Sequence, residues 1–173
     1  MKKFLIIILL ALPLQAFGQR FALSANLAGY AEGPGTMSLE ASYGLSRHFT
    51  ASALTRYNPF ESASEKHRDF ALGARWWPWH VYSGWWMAGR AQWQEFASEA
   101  DSLTEGDRLG ASLGAGYSRM LGRHLNLDLG LGLWGGYEKA IVYACGRCGR
   151  VVGGSNGFFL KPDALIVALT YVF

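Results

Sequence analysis

The sequence predicts an all-β protein, an eight-stranded antiparallel up-and-down transmembrane β-barrel. Apolar residues recur at every second position from Arg20 onward, which is the period of a strand with two different faces. The connections between these stretches alternate between short and long, as they do in barrels of the bacterial outer membrane. The alternation continues to the aromatic residue Phe173. These three observations favour a closed sheet that crosses a membrane.

The first four stretches each have an apolar face and a polar face. Side chains of a strand point alternately to its two sides, so each face acts as a unit. Each stretch is about ten residues long, the length that a tilted strand needs to cross a bilayer. The apolar faces run from Phe21 to Leu27, Met37 to Leu45, Phe49 to Tyr57 and Phe70 to Trp76, opposite Ser24 and Asn26, Ser38 to Ser42, Thr50 to Arg56, and Asp69 to Arg75.

The last four stretches keep the same period. The seventh is the clearest, because leucines at every second position from Leu125 to Leu133 oppose Asn126, Asp128 and two glycines. The others have apolar faces from Trp85 to Trp93, Leu109 to Tyr117 and Leu165 to Phe173, the first two opposite Arg90 to Gln94 and Arg108 to Ser118.

The connections assign an orientation to the predicted barrel. Even-numbered connections would be tight periplasmic turns, and odd-numbered ones would be longer loops that face the cell exterior. The turns are predicted at residues 46–48, 78–83 and 121–123, and the outer loops at 58–67, 97–107 and 138–160, with 31–35 as the one short member of the outer set.

The amino terminus has the pattern of a secretory signal peptide. Two lysines precede a mostly apolar stretch at residues 4–17, and Ala16 and Gly18 are small residues suited to a cleavage site. These fourteen residues are too few for a transmembrane helix, which needs about twenty. We therefore expect residues 1–18 to be cleaved and residues 19–173 to form the barrel in an oxidising compartment.

Composition excludes several other classes of protein. The 173 residues suit one domain, and with 50% hydrophobic and 17% charged residues the chain does not resemble a disordered one. The net charge of +3 is spread without a basic block, which argues against nucleic acid as a partner. A soluble lipocalin-like small-molecule binder remains the alternative for alternating strands, although it would place its apolar face inward.

The polar faces predict a lumen filled by charged side chains. Eight strands enclose a space just wide enough for their own side chains, which argues against a general porin. Buried charges must be paired, so we predict a salt-bridge network, with Asp69 as a further candidate. Its predicted members are Glu40, Arg56, Arg75, Arg90, Arg108 and Asp128.

Aromatic and terminal residues predict contacts with the membrane and its assembly machinery. Five tryptophans flank the turn around His80, and such rings collect at membrane interfaces as an aromatic girdle. The carboxy-terminal alternation resembles the signal that the barrel-insertion machinery reads. The girdle is Trp76, Trp77, Trp79, Trp85 and Trp86, and the insertion signal is Leu165, Val167, Leu169, Tyr171 and Phe173.

Few residues point to chemistry. Cys145 and Cys148 form a Cys-x-x-Cys motif, which suits a disulfide in an exposed loop, a metal site or a redox pair, the disulfide being favoured. No other cofactor is indicated. A lipid-modifying barrel enzyme would need a nucleophile near His48, His67 or His124, but no recognisable spacing joins them, so we predict that the protein is not an enzyme.

Five short motifs stand out along the chain. They are Tyr57-Asn58-Pro59-Phe60, Lys66-His67-Arg68, Arg75-Trp76-Trp77, Leu121 to Leu127, and Cys145 to Gly149. With these motifs, nearly all of Arg20 to Phe173 resembles domain-of-unknown-function family 3575, small predicted outer-membrane barrel proteins of Bacteroides-type bacteria, although Gly146 stands where the family usually has Pro. The resemblance implies a cell-surface anchoring or adhesion role, often beside fimbrial proteins, without known catalytic residues.

These features together predict a small non-porin barrel in the outer membrane of a Gram-negative bacterium. Its expected partners are outer-membrane lipid, the insertion machinery and surface or fimbrial proteins.

Overall fold

The computed structural model describes residues 20–28, 36–58, 67–99, 103–144, 149–163 and 165–173. The predicted signal peptide at 1–18 and the Cys145–Cys148 motif lie outside these ranges. The described strands are β1 (Phe21–Asn26), β2 (Met37–Gly44), β3 (Phe49–Tyr57), β4 (His67–Trp76), β5 (Gly84–Glu99), β6 (Leu103–Met120), β7 (Leu125–Tyr143), β8 (Val151–Pro162) and β9 (Ile166–Val172).

Within the described ranges, no helix has the length and apolar character to cross a membrane.

Eight of the strands close on themselves. Each of β1 to β7 pairs antiparallel with the next strand, and β9 pairs with both β7 and β1. Within the barrel, closure gives each of the eight strands a hydrogen-bonded neighbour on both sides, which the edge strands of an open sheet lack. The predicted eight-stranded antiparallel barrel is therefore confirmed, with β8 as an additional strand.

Side chains seal the seam between β1 and β9. Inside the barrel, Ser24 Oγ lies 2.7 Å from Thr170 Oγ1. Where β1 ends, the Asn26 side chain donates to the Leu165 carbonyl and accepts from the Val167 amide, both at 3.0 Å. Asn26 thus satisfies backbone groups at the point where β9 begins and the ladder with β1 runs out.

The strand β8 corrects two predicted loops. The segments 97–107 and 138–160 were expected to be loops, but most of their residues continue β5, β6 and β7 or form β8. The sequence hides β8, because Gly153, Gly154 and Gly157 interrupt the apolar alternation by which the other strands were predicted. By contrast, the three short turns lie where the sequence predicts them.

The strands β5 to β8 form a sheet extension opposite the short turns. It begins at a row of paired residues, Glu95, Asp107, Lys139 and Asn156, and continues to the ends of these strands. The end of the barrel with the short turns is called the turn end below, and the other the extension end.

The barrel has a polar inside and an apolar outside. Inward positions are buried Ser, Thr, Gln, Arg and carboxylate residues, whereas outward leucines such as Leu113 (72%) and Leu131 (68%) are exposed. Towards the extension end, the outward row Phe70, Trp93, Leu109, Tyr137 and Phe158 gives way to Arg68, Glu95, Asp107, Lys139 and Asn156.

Candidate functional site

The turn between β4 and β5 plugs the turn end of the barrel. Trp77 is buried and its indole N–H donates to Thr50 Oγ1 at 3.2 Å. Tyr82 has a φ of 63°, which is costly for a residue other than Gly. Two hydrogen bonds hold Tyr82 in this conformation. The Tyr82 hydroxyl donates to the Arg20 carbonyl at 3.1 Å, and the Asn126 side chain donates to the Tyr82 carbonyl at 2.6 Å. Burial raises the pKa of the Tyr82 hydroxyl.

Four of the predicted lumenal residues form one cluster in the middle of the barrel. Glu40 Oε2 accepts from Arg75 at 2.6 Å and from Arg90 at 2.9 Å. Arg75 also donates to Asp128 Oδ2 at 3.3 Å. All four side chains are almost fully buried. They come from β2, β4, β5 and β7, so the cluster ties together strands that are far apart around the barrel.

The cluster reaches the seam through hydroxyl groups. Thr170 on β9 donates to Asp128 Oδ2 at 2.8 Å, and Ser24 on β1 lies within hydrogen-bond distance of Thr170. Because Thr170 gives its proton to the carboxylate, Ser24 is the donor to Thr170. The pairing that closes the barrel is thereby connected to Arg75.

Trp86 corrects part of the predicted girdle. Its ring lies under Arg75, whose guanidinium carbon is 4.6 Å from the ring centroid, and the side chain is buried. Trp77 is buried too, so these two tryptophans fill the interior instead of facing outward. The reason is the alternation itself: Trp86 follows the outward Trp85, and Trp77 follows the outward Trp76.

Glycines on β6 and β7 make room for Trp86. A Cβ atom on Gly130 would lie 2.7 Å from two carbons of the Trp86 ring and 2.9 Å from the Ala115 carbonyl oxygen. A Cβ on Gly116 would be 2.4 Å from the same ring. Both distances are too short for packed carbon atoms, so the large ring needs these two glycines opposite it.

We expect Gly130→Ala to lower the free energy of unfolding by about 1–3 kcal/mol, because it overpacks the interior. Urea unfolding of the refolded barrel in lipid vesicles measures this. Gly122→Ala, in a turn where no atom lies within 4 Å of the new Cβ, is the matched control. In a Trp86→Phe background, Gly130→Ala should lower the free energy of unfolding by less than it does in the wild type. Additive effects of the two changes would contradict the fit described here.

A second cluster lies nearer the extension end. Arg56 donates to Asp69 and to Asp163, both at 3.0 Å, and Gln92 donates to Asp69 at 2.8 Å. Asp163 follows β8, and its amide donates to the Gly132 carbonyl at 2.9 Å. The strand conformation is interrupted between β8 and β9, and there the Asp163 carboxylate points into the lumen. The sequence does not predict this position.

A third cluster surrounds Arg108. Arg108 pairs with Glu138, donates to Gln94 at 3.0 Å, and stacks 3.8 Å from the Phe96 ring centroid. Lys161 lies 3.4 Å from the same Gln94 oxygen. Glu138 and Lys161 were missed, because both fall in the segment 138–160 or beside it, which was predicted to be a loop.

The interior charges balance among the described residues. The three clusters hold five cations and five carboxylates, so little net charge remains to attract an ion. A cavity of about 20 Å³ beside Ser38, Glu40 and Arg90 has room for about one water molecule. The ten groups are Arg56, Arg75, Arg90, Arg108 and Lys161 with Glu40, Asp69, Asp128, Glu138 and Asp163.

The three histidines weighed for catalysis are not together. His48 and His124 lie at the turn end, where each Nδ1 donates to a backbone carbonyl, at 3.0 and 2.9 Å. His67 begins β4 near the extension end, with its Nε2 at 3.2 Å from the Gln94 amide nitrogen. Among the described residues, no group of three His, Cys, Asp or Glu side chains could hold a metal ion.

The remaining predicted residues face outward. Trp76, Trp79 and Trp85 are exposed near the turn end. On β9, Tyr171 is exposed on the outer face, whereas Thr170 and Val172 are buried on the inner face. The outward positions of the predicted insertion signal are Leu165, Val167, Leu169, Tyr171 and Phe173.

Comparison with known proteins gives one match. A family model described as "Protein of unknown function (DUF3575)" matches residues 4–173. No curated protein and no solved structure matches the chain.

Proposed function

Because the chain belongs to the DUF3575 family, whose function is unknown, and folds as a closed barrel, we propose that it is a small non-porin barrel of the outer membrane of a Gram-negative bacterium. The barrel anchors the sheet extension of β5 to β8 at the cell surface, where the extension contacts other surface proteins. Membrane lipid and the barrel-insertion machinery are its other partners.

The inverted polarity of the barrel carries this proposal. A soluble barrel buries its apolar side chains and exposes its charges, whereas here leucines are outside and ion pairs inside. Eight residue steps separate the exposed Trp85 from the exposed Trp93 on β5. That is about 27 Å along the strand and about 20 Å of bilayer depth at a tilt of about 40°. An apolar band of this height suits the hydrocarbon core of an outer membrane.

The filled interior supports a role other than transport. The Trp77 and Tyr82 side chains fill the turn end, and the ion-pair clusters occupy the rest of the lumen. Paired charges link distant strands, and removing one partner would leave a buried charge unpaired, so we assign the network a structural role instead of ion conduction. The anchoring role needs no cofactor.

The sheet extension supports a role in surface contact. It projects beyond the apolar band, and its outward row is charged or polar, as at Glu95, Asp107 and Lys139. An anchoring or adhesion role beside fimbrial proteins would use this surface. At His48 and His124 the Nδ1 donates to a backbone carbonyl and not to a carboxylate, which supports a non-enzymatic role over a lipid-modifying enzyme.

We expect Gly157→Cys on β8 to react with a membrane-impermeant maleimide on intact cells. Gly122→Cys in a periplasmic turn should react only after the outer membrane is permeabilised. Both new side chains have open space around them, which makes the two variants matched probes. The native Cys145 and Cys148 are replaced by Ser in both. Equal labelling on intact cells, or labelling of Gly122→Cys alone, would contradict the proposed orientation.

A further inference from the structure

The fold gathers basic residues at the turn end of the barrel. The segments 45–48, 77–83 and 121–124 lie there together with the start of β1 and the end of β9, because neighbouring strands run in opposite directions. None of these segments contains Asp or Glu. Their exposed basic residues, called the basic rim, are Arg20, Arg47, Arg119 and Arg123 with His48, His80 and His124.

The basic rim has almost no compensating negative charge. Its four arginines have no acidic side chain beside them among the described residues of those segments. At the extension end, by contrast, the exposed cations have acidic neighbours: Arg68 lies 3.9 Å from Glu95, and Lys139 is paired in register with Asp107. The potential of the described surface is therefore positive at the turn end and mixed at the extension end.

The basic rim also lies at the edge of the apolar band. Trp79 and Trp85, both exposed, flank it on the side of the barrel. His80 and Arg123 line a recess of about 320 Å³ between two turns, with Met120 as one of its apolar walls. Aromatic rings, a cation and an apolar wall at this level are the groups that meet lipid headgroups in a membrane interface.

We propose that the basic rim binds the phosphate groups of anionic phospholipids in the periplasmic leaflet. This inference rests on the proposed function and adds to it a lipid class and a leaflet. A single cation near an anionic lipid surface strengthens attraction by about fivefold, and salt weakens it within about a Debye length. The sequence shows no basic block, because the rim is assembled from four separate segments.

The test measures which lipid surrounds the refolded barrel. The full chain is refolded into phosphatidylcholine vesicles that contain phosphatidylglycerol, and tryptophan quenching by brominated forms of each lipid gives their relative affinities. We expect wild-type protein to prefer phosphatidylglycerol by about threefold or more at low salt, and to lose the preference at high salt. The rim variant, Arg47→Gln with Arg119→Gln and Arg123→Gln, should show nearly equal affinities.

A control variant removes the same number of cations at the other end. Arg68→Gln with Lys139→Gln and Arg150→Gln should keep the wild-type preference. An unchanged preference in the rim variant, or none in the wild type, would overturn the inference and leave an acidic periplasmic protein as the partner to consider. Heat-modifiable gel mobility separates the two proposals: a wild-type chain that never folds in vesicles refutes the membrane barrel itself.

Discussion

Replacing Glu40 by Ala will lower the free energy of unfolding by about 3–5 kcal/mol, because it leaves a buried cation unpaired. Glu40 is the carboxylate that Arg90 pairs with, at 2.9 Å, and both side chains are almost fully buried. Arg75 retains Asp128, so the main cost falls on Arg90. Urea unfolding of the barrel in lipid vesicles, followed by tryptophan fluorescence, measures the loss.

Two further variants separate this explanation from a general effect of losing a carboxylate. Glu95→Ala removes a carboxylate from the exposed pair with Arg68, where we expect about 1 kcal/mol or less. Glu40→Leu combined with Arg90→Met removes both charges and should recover about half of the loss or more. If Glu40→Ala were no more harmful than Glu95→Ala, the central cluster would not hold the barrel together.

The alternation of the sequence was sufficient to predict the barrel and its inward charges. A period of two residues assigns each side chain to a face, and Glu40, Arg75, Arg90 and Asp128 all lie on the polar one. The partners within the network could not be predicted in this way, because they depend on how far each strand is shifted along its neighbour.

Two errors had different physical causes. The number of tryptophans near one turn favours a girdle that includes Trp77 and Trp86, whereas the alternation places both side chains inward, where the structure has them. For these two residues the alternation is a better guide than the general preference of tryptophan for membrane interfaces. For β8 the signal was absent, since Gly153 and Gly157 carry no side chain to alternate. Asp163 was missed with it, because its inward position depends on the break between β8 and β9.

Replacing Leu113 by Arg will test whether hydrocarbon covers the outer face. Leu113 is 72% exposed and pairs in register with Leu133, midway along the apolar band of β6. In water, such an exposed substitution changes stability by about 0.5 kcal/mol or less. At the middle of a bilayer, the same arginine costs about 2–4 kcal/mol. We therefore expect the larger loss when unfolding is measured in phospholipid vesicles.

Met120→Arg is the matched control, because Met120 is similarly exposed, at 63%, but ends β6 next to Arg119 and the turn. An arginine there reaches the headgroups, so its cost should be about 0–1 kcal/mol. Both variants place the same side chain at a similarly exposed position of one strand, Leu113 on the outer face and Met120 at the mouth of the barrel beside the turn, so the difference between them reports depth in the membrane. Equal and small effects at both positions would mean that water, not lipid, surrounds the barrel, and would contradict the proposed membrane anchor.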